Sequence, residues 1–436
     1  MENINEVFHE EDFVPKKKKK YKKVIIISLI IIVIISIIGI VGYNHHQQVL
    51  YERKMQEEQE LVQEIASHYN KFVRVNKDTI LYSLNDNNYQ ETGTIYKDVL
   101  VNLDEVEITK DTKYFYSSEL EKYLKYQDVS PIDSIIKDNR YKKYVPFNKN
   151  IITKESFTLY NKEGDKYYTF NSSMTFPMLI DNYENKYFVS YNNELMYLLK
   201  DDIESFEDSN NTSVKNMKNI TTFCYHRVYN QEEKCTDPYI CKKQSKFDQE
   251  MKYLKDNNYL TLTMEEMYLY LTGKLRIEKG VLLTFDDGYL MTSAIQVLEK
   301  YDLNASLFVI TGRFKDFSSF TSPNLELHSH TNNMHNSGEC AGYGKQGGGI
   351  LCLNKTKVLD DLKITRERLN NPIAFAYPFY DYSDRAISLL KESGFKMAFI
   401  GAHGVKGKAK PGVNLYKIPR MTIWDTTSFT TWKNYL

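Results

Sequence analysis

The sequence predicts an α/β protein, a distorted (β/α) barrel that is preceded by a membrane-spanning helix and two small all-β modules. Three patterns lead to this prediction. Residues 24–43 form an uncharged apolar run, residues 71–207 contain short β segments in two similar copies, and residues 220–436 alternate apolar strands with helical segments. Such alternation indicates βαβ units around a parallel sheet, and this many units in one domain favours a barrel over an open sheet.

The length and the charge of the chain limit its domain organisation and its possible partners. A chain of 436 residues is too long for one ordinary core, and a prior of about 150 residues per domain suggests two or three folded units. The 57 basic and 57 acidic residues cancel, so no overall field favours nucleic acid as a partner. We expect seven segments: a cytoplasmic basic N-terminus (1–23), a transmembrane helix (24–43), a stalk helix (44–70), two β modules (71–135 and 145–207), a linker (208–219) and the barrel (220–436).

The apolar run at residues 24–43 reads VIIISLIIIVIISIIGIVGY. As a helix it is roughly 30 Å long, which matches the hydrocarbon core of a bilayer. It lacks the polar face of a soluble helix and is longer than the apolar core of a cleavable signal peptide. Seven lysines at residues 16–23 precede it. The positive-inside rule therefore predicts a single-pass cell-membrane protein with a cytoplasmic N-terminus and an extracellular remainder.

The two β modules contain an internal repeat. KDTILYS at 77–83 corresponds to KESFTLYN at 154–161, and KYFYS at 113–117 corresponds to KYFVS at 186–190. Each copy is long enough for about five short strands and is marginal alone, which is consistent with two packed barrels. Their spacing resembles that of bacterial Src-homology-3-like modules. Binding of the cell wall and a spacer role both remain open for them.

The cysteines are compatible with an exported chain. Cys235 and Cys241 flank one short polar segment, Cys340 and Cys352 flank another, and Cys224 lies in an apolar run. None of these spacings resembles a zinc-thiolate site, and connectivity cannot be read from a sequence. Two loop disulfides are therefore one of the possible arrangements.

Polar residues follow several of the predicted barrel strands. In such barrels the reacting groups lie at the carboxyl ends of the strands, on one face. The residues at these ends are Asp286 and Asp287, the histidines 328, 330 and 335, His226, and Pro378. Carboxylates and imidazoles from separate strands should therefore converge on one rim.

The adjacent pair Asp286 and Asp287 needs a compensating positive charge, because neighbouring carboxylates repel. Two histidines and one carboxylate can hold a divalent ion and leave positions open for water and substrate. We expect one aspartate to ligate the ion, whose charge lets the other stay ionised and act as a base.

Three motifs resemble those of the polysaccharide deacetylases of carbohydrate esterase family four, the NodB-like domain. They are TFDDGY at 284–289, HTNNMH at 330–335 and AYPF at 376–379, and the similarity covers about residues 220–425. The resemblance implies a metal-dependent hydrolase that removes acetyl groups from N-acetylated sugar polymers. It assigns Asp286 as general base and Asp287, His330 and His335 as ligands of a divalent metal, most often zinc, with cobalt, nickel or manganese as alternatives.

Two features resemble the branch of this family that acts on poly-N-acetylglucosamine. These are the five-residue step from His330 to His335 and the Tyr225–His226 pair. In that branch the early histidine is the general acid, so the resemblance assigns this role to His226, with a core histidine as the alternative. The larger family uses a late histidine, for which His403 is the remaining candidate.

The third motif departs from the family pattern. Ala376 stands where an arginine usually orients the base. Arg420, in YKIPRMTI, can substitute for it, and an ordinary surface or helix-capping role is the alternative. We also place Arg420 with Tyr377, Pro378 and Phe379 among the substrate-binding residues, and the family pattern implies an oxyanion donor in the backbone N–H near Phe379. Packing is the alternative role for these aromatic residues.

These observations predict a membrane-anchored, extracellular, metal-dependent polysaccharide N-deacetylase. Its expected partners are the membrane, through residues 24–43, and an N-acetylated glycan such as peptidoglycan or poly-N-acetylglucosamine, with no nucleic acid. An inactive cell-surface glycan-binding protein and an O-acetyl esterase on the same scaffold are the alternatives. The sequence does not define the oligomeric state.

Overall fold

The computed structural model describes residues 18–210, 219–233, 235, 237–401 and 408–436. Most of the predicted linker at 208–219, Lys16 and Lys17 of the basic run, and His403 lie outside these residues. The first element is a continuous helix, α1 (Lys18–Ser67). Its part from Tyr21 onward contains a stretch that is apolar and long enough to cross a membrane, a test that a signal sequence near the N-terminus also passes. The apolar segment and the predicted stalk are thus parts of one helix.

The region after α1 is all β. Its strands are β1 (Phe72–Val75), β2 (Thr79–Asn85), β3 (Asn88–Ile95), β4 (Leu100–Asn102), β5 (Tyr114–Ser117), β6 (Lys122–Lys125), β7 (Val129–Ile132), β8 (Lys149–Thr153), β9 (Phe157–Tyr160), β10 (Lys166–Phe170), β11 (Thr175–Pro177), β12 (Ile180–Tyr183), β13 (Lys186–Tyr191), β14 (Glu194–Leu199) and β15 (Ile203–Asp208).

The two repeats form one layered unit. Nine strands from both copies make a single sheet in the order β12-β13-β14-β9-β10-β3-β2-β6-β5. The copies join where β10 pairs with β3, with Tyr168 opposite Ile95. Two three-stranded sheets, β4-β1-β7 and β11-β8-β15, complete the two halves. One apolar core, including Phe115 and Phe170, is common to both halves. Each copy is too small to bury its own apolar face, which explains why the copies share a sheet and a core.

The second folded region contains the predicted alternation. Its strands are β16 (Ile220–Tyr225), β17 (Arg227–Tyr229), β18 (Cys241–Lys243), β19 (Leu260–Thr261), β20 (Gly280–Asp287), β21 (Ala305–Val309), β22 (Leu325–Ser329), β23 (Ala374–Ala376), β24 (Met397–Phe399), β25 (Lys408–Ala409) and β26 (Met421–Thr422). Its helices are α2 (Gln244–Asp256), α3 (Met264–Leu271), α4 (Thr292–Tyr301), α5 (Lys355–Arg368), α6 (Asp384–Glu392) and α7 (Phe429–Asn434).

The parallel strands run in the order β24-β23-β22-β21-β20-β16. A late segment closes the gap between the two ends of this sheet. Ile418 forms a parallel bridge with Phe399 of β24, and β26 pairs in parallel with β16, with Thr422 beside Cys224. The closing segment is short, so the barrel is distorted at this point. The carboxyl ends of all these strands meet at one rim.

The second β half packs against the barrel region. Tyr144 and Ile180 form isolated bridges to Ile277 and Leu275. At the start of α3, Glu266 accepts a hydrogen bond of 2.6 Å from the Tyr144 hydroxyl. An adjacent arginine, Arg140, forms an ion pair with the same carboxylate. The β region is therefore joined to the barrel by both apolar and charged contacts.

Both of the possible loop disulfides are formed. Cys235 is bonded to Cys241 and Cys340 to Cys352, with Cα–Cα distances of 6.2 and 5.6 Å. Cys224 is a free, buried thiol.

Candidate active site

The two aspartates at the end of β20 point to different neighbours. Asp287 and Gly288 both have a positive φ, 75° and 85°, which turns the chain sharply at the rim. A Cβ on Gly288 would lie 2.9 Å from the Phe314 ring and 3.0 Å from a Val309 methyl group. Glycine is required here both for its backbone conformation and for its lack of a side chain. The sharp turn separates the directions of the Asp286 and Asp287 side chains.

Asp287 lies with two histidines. Its Oδ1 atom is 3.6 Å from Nε2 of His330 and 3.2 Å from Nε2 of His335. This oxygen is buried and has no hydrogen-bond donor among the described residues. Burial, together with the neighbouring His330, lowers the pKa of His335 to about 4, so its imidazole is neutral near pH 7. A neutral imidazole and a carboxylate oxygen without a donor are suited to a shared cation.

The orientation of His330 fits the same interpretation. Its Nδ1 atom is 2.8 Å from the carbonyl oxygen of Ala376 at the end of β23. A carbonyl oxygen only accepts, so Nδ1 carries the proton and donates it, and Nε2 keeps its lone pair toward Asp287. Metal-binding histidines are commonly held by such a bond on the distal nitrogen. The three residues fit a divalent cation by donor type, tautomer and position, because their ligand atoms lie within 4.8 Å of one another.

Asp286 is paired with Arg420. The guanidinium donates two hydrogen bonds to the carboxylate, Nη1 to Oδ1 at 2.6 Å and Nη2 to Oδ2 at 2.7 Å, and both residues are buried. Burial alone would raise the pKa of Asp286, but the charge of Arg420 outweighs it and holds the pKa well below its ordinary value. The two aspartates therefore have different neighbours that reduce their mutual repulsion. Arg420 compensates the charge of Asp286, and the two histidines lie beside Asp287.

His226 follows β16 on the same rim. One of its ring nitrogens lies within 4.8 Å of a carboxylate oxygen of Asp286 and of the Cys224 sulfur. Its Nδ1 atom is buried without a hydrogen-bond partner among the described residues, and the residue as a whole is partly exposed.

The structure corrects three of the predicted substrate contacts. Tyr377 is fully buried, and its hydroxyl donates to the carbonyl oxygen of Tyr416, so it packs in the interior. Pro378 is also buried. Arg420 is buried and donates two hydrogen bonds from its guanidinium group to Asp286, a position that fits the orienting role expected for it rather than contact with a substrate. Phe379 remains a candidate: it is partly exposed, and its ring packs against that of His335 at a centroid distance of 4.4 Å.

Two residues near the site were not among the predicted ones. The Cys224 thiol lies 3.5 Å from Oδ2 of Asp286, and burial, with smaller effects of its charged neighbours, raises the pKa of Cys224. Cys224 stands two residues before His226, which directly follows the strand, so extended backbone would point both side chains to one face; this is a signal that the sequence does contain. The second residue, Asp381, lies just after the third motif and binds a neighbouring loop. Nothing in the local sequence indicates this contact. His328 lies in the barrel beside the Phe308 ring, outside the ligand group.

A barrel rim that holds an arginine-bound carboxylate beside two histidines and a second carboxylate is suited to metal-assisted hydrolysis. Residues 274–398 match the family model for polysaccharide deacetylases. A poly-β-1,6-N-acetyl-D-glucosamine N-deacetylase of Staphylococcus aureus is 27% identical over 205 residues, which cover 42% of this chain and 67% of that protein. Over this region the chain is similar to the polysaccharide deacetylases, hydrolases that act on carbon–nitrogen bonds other than peptide bonds.

Two solved structures are also similar. The Streptococcus pyogenes deacetylase PplD in complex with acetate is 22% identical, with a TM-score of 0.40, covering 50% of this chain and 99% of that one. A de-N-acetylase from Aggregatibacter actinomycetemcomitans is 22% identical, with a TM-score of 0.42, covering 50% of this chain and 100% of that one.

Proposed function

We propose that the protein is a membrane-anchored, metal-dependent N-deacetylase of an extracellular polymer containing N-acetylglucosamine. The observation that carries the proposal is the group formed by Asp287, His330 and His335, with a buried carboxylate oxygen that faces two imidazole nitrogens and has no donor among the described residues. The S. aureus relative, named as acting on poly-β-1,6-N-acetyl-D-glucosamine, supports the choice of glycan.

Asp287, His330 and His335 would hold the ion. A bound zinc or similar ion lowers the pKa of water toward 7 and polarises a carbonyl group, which an amide requires because it is a poor electrophile. Asp286 would accept the proton of the attacking water. The bidentate bond to Arg420 keeps this carboxylate ionised and fixes its orientation, at the cost of making it a weaker base.

The departing amine needs a proton. His226 is the candidate donor, since one of its ring nitrogens lies within 4.8 Å of a carboxylate oxygen of Asp286 at the same rim. The backbone N–H near Phe379 is the candidate donor to the oxyanion, because the Phe379 ring packs against that of the candidate ligand His335 and backbone donors beside such a group stabilise an oxyanion. The products are acetate and a free amino sugar.

The rival hypothesis of an inactive glycan-binding protein depended on the missing arginine of the third motif. Arg420 reaches the same carboxylate from the closing segment, so that reason no longer holds. An O-acetyl esterase would use the same groups. Its ester substrate has a better leaving group and would depend less on His226, which separates the two activities experimentally.

Membrane anchoring is supported by α1, whose apolar part is followed without a break by the helix that reaches the β region. The lysine-rich segment before it supports a cytoplasmic N-terminus and an extracellular barrel. The anchor would hold the enzyme at the cell surface, where the polymer lies.

The test is acetate release by the full-length chain in detergent micelles. The substrates are β-1,6-linked N-acetylglucosamine oligomers and, for comparison, O-acetylated xylan oligomers. We expect zinc-loaded protein to release acetate from the N-acetylated substrate, and His226→Ala to reduce this by about 100-fold while reducing ester hydrolysis less. A control, His68→Ala, changes a histidine that binds the carbonyl oxygen of Val129 in the β region. Zinc-loaded protein that releases no acetate from the amide would refute the proposal.

A further inference from the structure

A glycine-rich loop closed by the Cys340–Cys352 disulfide packs on the turn of the third motif. Within the loop, the N–H of Cys340 donates to the carbonyl oxygen of Gly347 at 2.8 Å. Near its end, the N–H of Gly349 donates to the carbonyl oxygen of Met334, the residue before the candidate ligand His335. The loop is thus fastened to the segment that carries one candidate ligand.

The second attachment is made by Asp381. Its carboxylate accepts four hydrogen bonds from three consecutive backbone amides of the loop: two from Lys345 at 2.8 and 2.9 Å, one from Gln346 at 2.8 Å and one from Gly347 at 3.2 Å. Asp381 is buried although its charge has no cation partner among the described residues. Successive amides that converge on one anion bind it strongly.

The loop is shaped for this carboxylate. Gly344 has a φ of 61°, and a Cβ at this position would lie 2.5 Å from the carboxyl carbon of Asp381. No other residue type would let the loop approach so closely.

The other side of Asp381 is the turn that carries Phe379. The N–H of Asp381 donates to the carbonyl oxygen of Pro378 at 3.0 Å. Within this turn Phe379 and Tyr380 have positive φ values of 55° and 63°, which are costly for bulky residues and persist only when the surroundings impose them. A Cβ on Gly348 of the loop would lie 3.4 Å from side-chain atoms of both Pro378 and Phe379, so the loop backbone runs directly beside this turn.

We propose that Asp381 is a positioning residue for catalysis. It binds the disulfide-closed loop, and the loop holds the Phe379–Tyr380 turn in its strained conformation. This fixes the Phe379 amide where the oxyanion forms and keeps the Phe379 ring against His335. The inference rests on the proposed function, and it extends that function to residues outside the three motifs.

The test compares Asp381→Asn, the double variant Cys340→Ser/Cys352→Ser, and the triple variant that combines them, all as zinc-loaded full-length protein in detergent. The asparagine has the same shape but loses the charge and one acceptor oxygen. We expect kcat on β-1,6-linked N-acetylglucosamine oligomers to fall about tenfold in each of the two parent variants, with KM changed less than twofold. The reason is that a displaced oxyanion donor weakens the stabilisation of the transition state more than the binding of the substrate. Zinc content should stay at the wild-type level.

The kcat of the triple variant distinguishes a positioning role of Asp381 from a general weakening of the fold. If Asp381 acts through the loop, the triple variant should have the kcat of the more damaged parent, and two independent effects would instead multiply to about a hundredfold loss. The control is Asp316→Asn, which removes a similar carboxylate cap, on Ser318 in an exposed turn. If Asp381→Asn does not fold, the disulfide variant, which retains Asp381, still tests the positioning by its kcat.

Three results would overturn the inference while acetate release by the wild type still supports the proposed function. They are a kcat within twofold of wild type in both parent variants, multiplying effects in the triple variant, and a loss of zinc that accounts for the loss of activity. A wild type without activity would instead refute the proposed function itself.

Discussion

Arg420 is the residue on which the ionisation of Asp286 depends. It is separated from Asp286 by 134 positions and reaches it because the closing segment of the barrel lies next to β16. The sequence motif that usually supplies this charge contains Ala376 instead. The charge is thus present at the site but comes from another strand, and only the fold brings the two together.

Replacing Arg420 by methionine should therefore affect both stability and activity. The substitution leaves Asp286 buried without its partner, and removing one member of a buried ion pair typically costs about 3–5 kcal/mol of unfolding free energy. We expect a loss of this size in urea denaturation and a fall in kcat of about 100-fold. The double variant Arg420→Met/Asp286→Asn should recover much of the stability and none of the activity. Equal stability of the single variant and the wild type would contradict this account of the pair.

At the level of single residues, the sequence predicted which side chains come together at the rim better than it predicted their individual contacts. Asp286, Asp287, His330 and His335 could be predicted because strand ends in a parallel barrel share one rim. Tyr377 was expected in the cleft with packing as its alternative, and its buried ring fits the packing alternative. An aromatic residue at a strand end suits either position, and only the direction of the chain decides between them. Asp381 was not predicted, since its partners are backbone amides of a distant loop.

At the level of elements, helix α3 connects the β region to the barrel. Thr263 and Glu266 form a capping box at its start. Glu266 also accepts a hydrogen bond from the Tyr144 hydroxyl and forms an ion pair with the guanidinium of Arg140. Both of these residues lie in the segment before β8. One carboxylate thus caps a barrel helix and anchors the β region.

Tyr144→Phe tests this connection. The variant removes a hydrogen bond to a charged acceptor and keeps the ring in place, so we expect a loss of about 1.5–3 kcal/mol in urea unfolding. Tyr141→Phe is the matched control, because Tyr141 is a buried tyrosine of the same segment and no hydrogen bond of its hydroxyl is found among the described residues. A loss that is equal in the two variants would show that the Tyr144 hydroxyl does not contribute.

The elements themselves were largely predictable, and their pairing was not. The period of the apolar residues marked the strands and helices of the barrel. The two β repeats were expected to be separate modules, but nine of their strands form one sheet. Local patterns define a strand and its faces, whereas the joining of β3 to β10 depends on which apolar face each copy leaves uncovered.

At the scale of the whole molecule, α1 continues from the apolar segment into the β region. Its 50 residues correspond to a length of about 75 Å. Its C-terminal part packs on the first β half, where Ile65 is buried. The β region in turn contacts the barrel through Tyr144 and Ile180. The order of these contacts would place the β region between the proposed anchor and the active site.

The claim on which the account depends is that Asp287, His330 and His335 bind one divalent cation. The most direct measurement is anomalous scattering at the zinc edge from crystals of the protein grown with zinc. We predict a single strong peak within about 2.0–2.2 Å of a carboxylate oxygen of Asp287 and of Nε2 of both histidines. Crystals without a peak at this position, with the two imidazoles turned away from Asp287, would contradict the account.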